Sequence, residues 1–303
     1  MIVIISFKCL TIDDKDIIEK YVDKEKLESY EYLFSSLYMW RKLNNVKYAV
    51  INDALVIEKN EEGKGTFYAQ PLKYDKEKLT ELVDLLIERN SNYTDRDYLF
   101  GDVDEQFIDD LRKYTDFNIE EIEDVSDFEY VYNINDLIEL KGKKYHGKKN
   151  HVNSFEKSYI YEIKSINNEK VIKDCLKLLH KWHEEVAVTV DKEMMMEIDA
   201  IKDLFSELHF FDLKSIAIYV DDELAGFSVG EKVNEKIAVI HVERGEISYK
   251  GIYAFLNRKF LTESFSDTEF VNRQEDTGNA GLRKAKQSYH PVKMVKKYLI
   301  KIK

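Results

Sequence analysis

The densest set of side chains able to do chemistry lies in VNRQEDTGNAGLRKAKQSYHPV, Val271 to Val292. A strand pattern delivers Asn272, Arg273, Glu275 and Asp276. A glycine-containing turn follows, and then Arg283, Lys284, Lys286 and Tyr289. Acids at a strand end beside a basic helix can position an amine nucleophile and a phosphate tail together. The same residues also suit a capped helix, with Asp276 and Thr277 near its start and basic residues later, complementing the dipole. Upstream, GFSVGEKVNEKIAVIHVERGEISYKGIYAFLNRKF reads as two strands, a loop and a helix that starts near Lys250-Gly251, with Tyr253 in its first turn. Free N–H groups and the positive dipole end make a helix start suited to phosphate, and Lys250 and Gly251 would add charge and close backbone approach. Glu243 ends the second strand beside Arg244, and is either a general base or half of an exposed ion pair.

Other chemistries lack their residues. There is no GxSxG elbow, no phosphate-binding P-loop and no GxGxxG, and the two cysteines, Cys9 and Cys175, carry no sign of activation. Their spacing gives neither a disulfide framework nor a metal site, which fits a reducing compartment. His180 and His183 share a helix face near Cys175 but lack further ligands, so no metal is expected. Met194–Met196 reads as core filling or a soft pocket lining.

Charge is unevenly spread. The chain carries a net charge of -12, yet residues 141–155 hold five lysines and residues 277–303 hold Arg283 and seven lysines, with no acid in either. The first segment, LKGKKYHGKKNHVNSF, offers Lys144, His146, Lys148, Lys149 and Asn150 as phosphate contacts. An acidic body with two basic segments points to a local anionic partner rather than DNA, or to simple solvated surface.

These residues need elements to hold them. Periodicity gives helices at TIDDKDIIEKYVDK, YEYLFSSLYMWRKL, DKEKLTELVDLLIERN and DEQFIDDLRKY, with a hairpin KYAVINDALVIEK turning at Asn52-Asp53. The second half repeats this grammar: two helices, three strands turning at Asp221-Asp222 and Asn234-Glu235, a helix, a strand, a short helix and a closing strand KMVKKYLIKI. The opening MIVIISFKCL reads as a strand rather than a signal peptide. VINDALVI and YVDDELAG resemble each other, as expected for two α/β domains of one type. The expected domains are 1–137 and 138–303, with the basic segment 140–155 at the junction. No apolar run approaches a membrane span, so a cytoplasmic chain is expected.

LKGKKYHGKKNHVNSF, FVNRQEDTG with GLRKAKQSYHPV, HVERGEISYKGIYAFLNRKF and the N-terminal YEYLFSSLYMWRK together resemble a bacterial family similar to the C-terminal catalytic domain of phosphatidylglycerol lysyltransferase. The resemblance covers nearly the whole chain. It implies two tandem acyltransferase domains of the GNAT (N-acetyltransferase) fold, each a mixed sheet flanked by helices. It also implies transfer of an aminoacyl group from tRNA to a lipid headgroup or other small acceptor. The 303 residues hold no membrane-spanning flippase region, so contact with an anionic lipid would be peripheral, at the inner membrane face. GEISYKGIYA stands where acetyltransferases carry Q/R-x-x-G-x-G/A, which disfavours acetyl-CoA. On this basis the basic segment would receive phosphate from a tRNA acceptor end or a headgroup. Glu243 or Asp276 would be the acid–base group, and Arg273 and Arg283 the charge stabilisers. The alternatives are an acetyl-CoA-dependent N-acetyltransferase and a non-catalytic anion-binding module.

Overall fold

The computed structural model describes residues 5–90, 96–186 and 192–303, without the side chains of 182–186 and 192–194. His183 and Met194 therefore lie outside the described side chains, and the first four residues of the expected opening strand lie outside the described chain. The chain forms two compact units that interleave in sequence.

The first unit comprises Met1–Leu27, Glu31–Phe128 and Lys296–Lys303. Its elements are β1 (Lys8–Cys9), α1 (Lys15–Tyr21), α2 (Phe34–Trp40), β2 (Lys47–Ile51), β3 (Ala54–Glu61), β4 (Gly65–Ala69), α3 (Leu79–Asn90), β5 (Phe100–Val103), α4 (Glu105–Tyr114), β6 (Ile119–Glu123) and, from the chain's end, β14 (Tyr298–Ile302). The sheet runs β1-β2-β3-β4-β5-β14-β6. Asn52 and Asp53 turn the β2–β3 hairpin at φ 48° and 63°, the left-handed pair that matches strand twist. β4 and β5 pair in parallel, which requires a crossover, and α3 supplies it. Its Leu79, Leu82, Val83 and Leu86 are buried against Val56, Tyr68, Phe100 and Phe107 in the core.

The second unit comprises Glu28–Tyr30 and Glu129–Val295. Its elements are β7 (Glu129–Asn133), α5 (Ile134–Glu139), α6 (His146–Ser158), β8 (Tyr161–Lys164), α7 (Glu169–Val186), α8 (Lys192–Ser206), β9 (Leu213–Val220), β10 (Glu223–Lys232), β11 (Ile237–Gly245), α9 (Ile252–Ser264), β12 (Phe270–Asn272), α10 (Ala280–Gln287) and β13 (Lys293–Val295). The sheet runs β13-β7-β12-β11-β10-β9-β8. Asp221 and Asp222 turn β9 into β10 at φ 50° and 64°, the same conformation as Asn52-Asp53. β11 and β12 are parallel, with α9 as their crossover. The two sheets match strand for strand once β14 is set in the slot that β7 fills.

Two mixed sheets flanked by helices are what the sequence pattern implies. KMVKKYLIKI, expected as one strand, is instead two, β13 and β14, in different sheets. The break falls at Lys296-Lys297, where both amines find carboxylates: Lys296 reaches Glu123 at 3.2 Å and Lys297 reaches Glu31 at 2.6 Å.

Much of the basic tail is answered in the same way. β14 lies antiparallel to the acidic strand β6, with Lys301 opposite Glu120 and Ile300 opposite Glu121. Lys303 also meets Glu120, at 2.9 Å. The segregation of charge along the chain thus becomes pairing across a sheet. In the other basic segment, Lys141 pairs with Glu139 at 2.9 Å and Lys144 with Asp136 at 3.3 Å. From His146 on, that segment is helix α6.

Candidate functional site

β11 and β12 run together only from Ile237–Phe270 to Val239–Asn272. Beyond that β11 continues to Gly245 while β12 stops, and Gln274 turns out of line at φ 60°. Two side chains bridge the divergence. Arg273 Nη2 donates to Glu243 Oε1 at 2.8 Å, and Asn257 of α9 donates to Glu243 Oε2 at 2.9 Å. Both ends of the Arg273–Glu243 pair are largely buried, at 13% and 11% side-chain exposure.

Aromatic rings surround the guanidinium. It lies 4.8 Å from the Tyr289 ring centroid and 5.6 Å from that of Tyr132, in cation–π range. Burial alone would lower the Arg273 pKa, but Glu243 and the two tyrosines outweigh it and raise it. Lys148, from the first turns of α6, places its amine 3.8 Å from the Tyr289 centroid. Burial, and then the charge of Arg273, pull that amine down to about 8. Lys286 is buried beneath, with its amine donating to the carbonyls of Arg273 and Gln274. Burial and Arg273 bring it to about 8 as well. Burial pushes the Tyr289 hydroxyl up to about 12, against the pull of Arg273.

A second layer fixes the end of β12. The Asn272 amide donates to the buried Glu129 carboxylate and to the Glu28 carbonyl, and Asn272 Oδ1 accepts the Gln274 N–H at 2.8 Å. Glu129 also accepts from the Ser29 hydroxyl and the Tyr30 N–H. Asp276, wholly buried, takes a two-pronged bond from Arg283 at 2.8 and 2.9 Å, the Tyr130 hydroxyl at 2.7 Å and the Gly278 N–H at 3.0 Å. Burial would raise its pKa, but these donors hold the carboxyl below the usual range. Asn279 caps α10 by accepting from Leu282 N–H. Asp276 and Arg283 therefore anchor α10, and α10 carries Lys286 to the site.

Two donors at this corner are left over. Arg273 Nη1 and Gln274 Nε2 are buried and have no hydrogen-bond partner among the described residues. Buried donors without acceptors are costly, of order 1–3 kcal/mol each, and such atoms suit a ligand oxygen or an ordered water.

The fold brings together Glu243, Arg273, Lys148, Lys286 and Tyr289, and it sets Asp276 and Arg283 in a separate pair. Lys144, His146, Lys149, Asn150, Lys250 and Lys284 are exposed, and Tyr253 is half-buried. Gly251 begins α9 at φ 91°, and a Cβ there would stand 2.2 Å from the His151 carbonyl oxygen. The close approach that this glycine permits is that of α6. The Lys250 N–H is met by the Tyr159 hydroxyl at 3.3 Å and the Ser248 N–H by the Glu246 carboxylate at 3.1 Å. Sequence reasoning missed Gln274, Asn257 and Tyr132. Only Asn257 left a signal, as a polar residue on an otherwise apolar stretch of helix.

Among the described residues, Glu31, Glu61 and Asp102 form a carboxylate cluster with a metal-like arrangement, their ligand atoms within 4.8 Å of one another. The Lys59 amine already sits in it, 2.6 Å from Glu31, 2.7 Å from Asp102 and 3.7 Å from Glu61. An ammonium thus fills the position a cation would take.

Among known proteins, the family described as phosphatidylglycerol lysyltransferase, C-terminal, matches residues 24–301, and the chain belongs to it. The two units have the tandem GNAT-like architecture. The crystal structure of a conserved protein of unknown function from Bacteroides thetaiotaomicron superposes with TM-score 0.87 at 29% identity, covering 99% of this chain and 100% of that one. L-PGS from Bacillus licheniformis superposes with TM-score 0.61 at 13% identity, covering 95% and 91%. An uncharacterised protein of Mycoplasmoides gallisepticum is 29% identical over 207 residues, 65% of this chain and 65% of that relative's length. No helix among the described residues is long and apolar enough to cross a membrane.

Proposed function

We propose that the second unit is an aminoacyltransferase site, moving an aminoacyl group from the ester of a charged tRNA to a hydroxyl or amine of a lipid headgroup or small acceptor. The observation that carries this reading is the pair of unpartnered donors, Arg273 Nη1 and Gln274 Nε2, where β11 and β12 part. Attack on an ester puts negative charge on the carbonyl oxygen, and fixed donors in a dry setting stabilise that charge well. Arg273 would supply charge and donor, Glu243 and Asn257 would hold its plane, and Lys286 would support the strand end from below. Asp276 and Arg283 position α10. The exposed Lys149 on α6, with Lys144, Lys250 and Lys284, offers the mobile point charges that suit phosphate without base specificity, and the exposed His146 and Asn150 add polar side chains on the same helix.

A charged tRNA is favoured over acetyl-CoA by the loop from Gly245 to Gly251. Two of its amides, those of Ser248 and Lys250, are already met by the Glu246 carboxylate and the Tyr159 hydroxyl, and a carboxylate repels phosphate. The test is a melting comparison with charged tRNA, uncharged tRNA, acetyl-CoA and phosphatidylglycerol vesicles. A ligand that binds only the native chain raises the melting temperature. Charged tRNA is expected to raise it and acetyl-CoA to leave it unchanged, and the reverse result would make the chain an acetyltransferase.

A further inference from the structure

Lys148 differs from the other lysines of its segment. Lys141 and Lys144 each meet a carboxylate, and Lys149 and the other segment lysine, Lys143, are exposed. Lys148 is half-buried, and among the described residues no hydrogen bond or ion pair engages its amine. Its contact is the Tyr289 ring, at 3.8 Å from the centroid, and Arg273 lies against that same ring at 4.8 Å. The charged or titratable groups facing it are thus Arg273, with Glu243 committed to it, and Tyr289 with Tyr132 beyond. On its own helix the neighbours are Lys149 and His151, and Lys144 lies in the turn just before it. Among the described residues no carboxylate bonds its amine. A cation placed against another cation, without a carboxylate of its own, is poorly suited to structural pairing and well suited to work as a neutral amine.

Building on the aminoacyltransferase reading, we infer that the Lys148 amine is the proton carrier of the transfer. Its lone pair takes the proton of the attacking hydroxyl or amine as the new acyl bond forms. The resulting ammonium then gives that proton to the leaving ribose oxygen as the ester bond breaks. No outside oxidant or further reactant is needed, and the amine returns to its starting state. The carboxylates at the site are less suited to this work. Glu243 has an oxygen bonded to Arg273 and the other to Asn257, and Asp276 is filled by Arg283, Tyr130 and Gly278. Burial together with Arg273 brings the Lys148 amine to about 8, near the range where a base works best at neutral pH.

Two experiments test this and fail independently. The first is competitive acetylation of the intact chain with acetic anhydride across pH, read by mass spectrometry, with a free lysine derivative as internal standard. Lys148 is expected to reach half its limiting reactivity about two pH units below the standard. In Arg273→Gln its midpoint should move up toward the standard. A midpoint at the standard's position, or no labelling at any pH, overturns the inference, and neither result depends on enzymatic activity. The second is Lys148→Arg, which keeps the charge and removes the base. Transfer from charged tRNA should fall ~100-fold or more, while the melting shift given by charged tRNA remains. Retained transfer in Lys148→Arg overturns the inference and leaves the aminoacyltransferase reading standing. A wild-type chain inert toward charged tRNA that still shows the depressed Lys148 midpoint overturns that reading, and the proton-carrier role with it.

Discussion

Arg273 and Glu243 close the gap between two strands that have stopped pairing, with Nη2 of one 2.8 Å from Oε1 of the other. The strands they bridge are the parallel pair of the second sheet, so the ion pair sits where that sheet opens. Both side chains are mostly buried, so losing one strands the other. Glu243→Ala is expected to destabilise the chain by about 3–5 kcal/mol, the usual cost of leaving a buried partner unpaired. Replacing both, Glu243→Gln with Arg273→Met, should recover part of that loss. Urea midpoints of wild type and the two variants measure it, and a Glu243→Ala midpoint equal to wild type would show the pair to be solvated.

Two glycines of the α6 region predict opposite outcomes. Gly251→Ala places a Cβ 2.2 Å from the His151 carbonyl oxygen at a φ of 91°, so backbone must move. A loss of about 1–3 kcal/mol is expected from the strained conformation alone. A Cβ on Gly147, within α6, would meet nothing within 4 Å, and Gly147→Ala should stabilise by roughly 0.5–1 kcal/mol through helix propensity. Melting curves of the two variants moving in the same direction would contradict the α6–α9 packing.

Lys148 and Lys286 titrate at about 8 in the fold, against ~10.4 for a lysine in an unfolded chain. Between those values the unfolded chain holds protons that the folded chain has released. Stability therefore rises with pH from about 8 toward 10. The cost of burying the two ammonium groups is felt below that window. Urea midpoints at a series of pH values from about 7 to 9.5 should climb in wild type and climb less in Lys148→Met. A flat wild-type profile would contradict the placement of both amines.

Lys59 stands for a cation among Glu31, Asp102 and Glu61, and it is only 3% exposed. Lys59→Ala leaves three carboxylates facing one another and is expected to cost about 3–5 kcal/mol. Their ligand atoms lie within 4.8 Å of one another, and oxygen ligands suit calcium. Millimolar calcium should raise the melting temperature of Lys59→Ala and leave wild type unchanged. Equal response of the two proteins would argue against this arrangement.

Removing the last strand gives a further contrast. β14 lies between β5 and β6, so a stop codon in place of Tyr298 should expose strand edges on both sides and unfold the first unit. Proteolysis should then cut within Glu31–Phe128 first. Unchanged protection there would contradict the central place of β14.

Local patterns made much of the fold legible. Asn52-Asp53 and Asp221-Asp222 are the residues that left-handed turns prefer, and the apolar spacing of α3 announces its buried face. The likeness of VINDALVI to YVDDELAG reports a real repeat of hairpin geometry. The split of KMVKKYLIKI was not legible, because its two halves pair with strands distant in sequence and nothing local marks which sheet each joins. The tail's charge was visible but its meaning was not, since Lys297 and Lys303 are matched by Glu31 and Glu120 far upstream. At the site, Arg273 and Glu243 could be singled out as types, but their contact depends on where the strands part. Lys148 and Lys149 are adjacent and identical in kind, and only the orientation of α6 separates the amine against Tyr289 from the one in solvent.

The most direct measurement is single-turnover loss of labelled amino acid from charged tRNA, with phosphatidylglycerol vesicles or a free amine as acceptor, comparing wild type with Arg273→Gln. Wild type is expected to shorten the lifetime of the ester and form the acylated acceptor, with Arg273→Gln slowed ~100-fold or more. An ester lifetime unaffected by the wild-type chain, together with a melting shift from acetyl-CoA, would contradict aminoacyl transfer at this site.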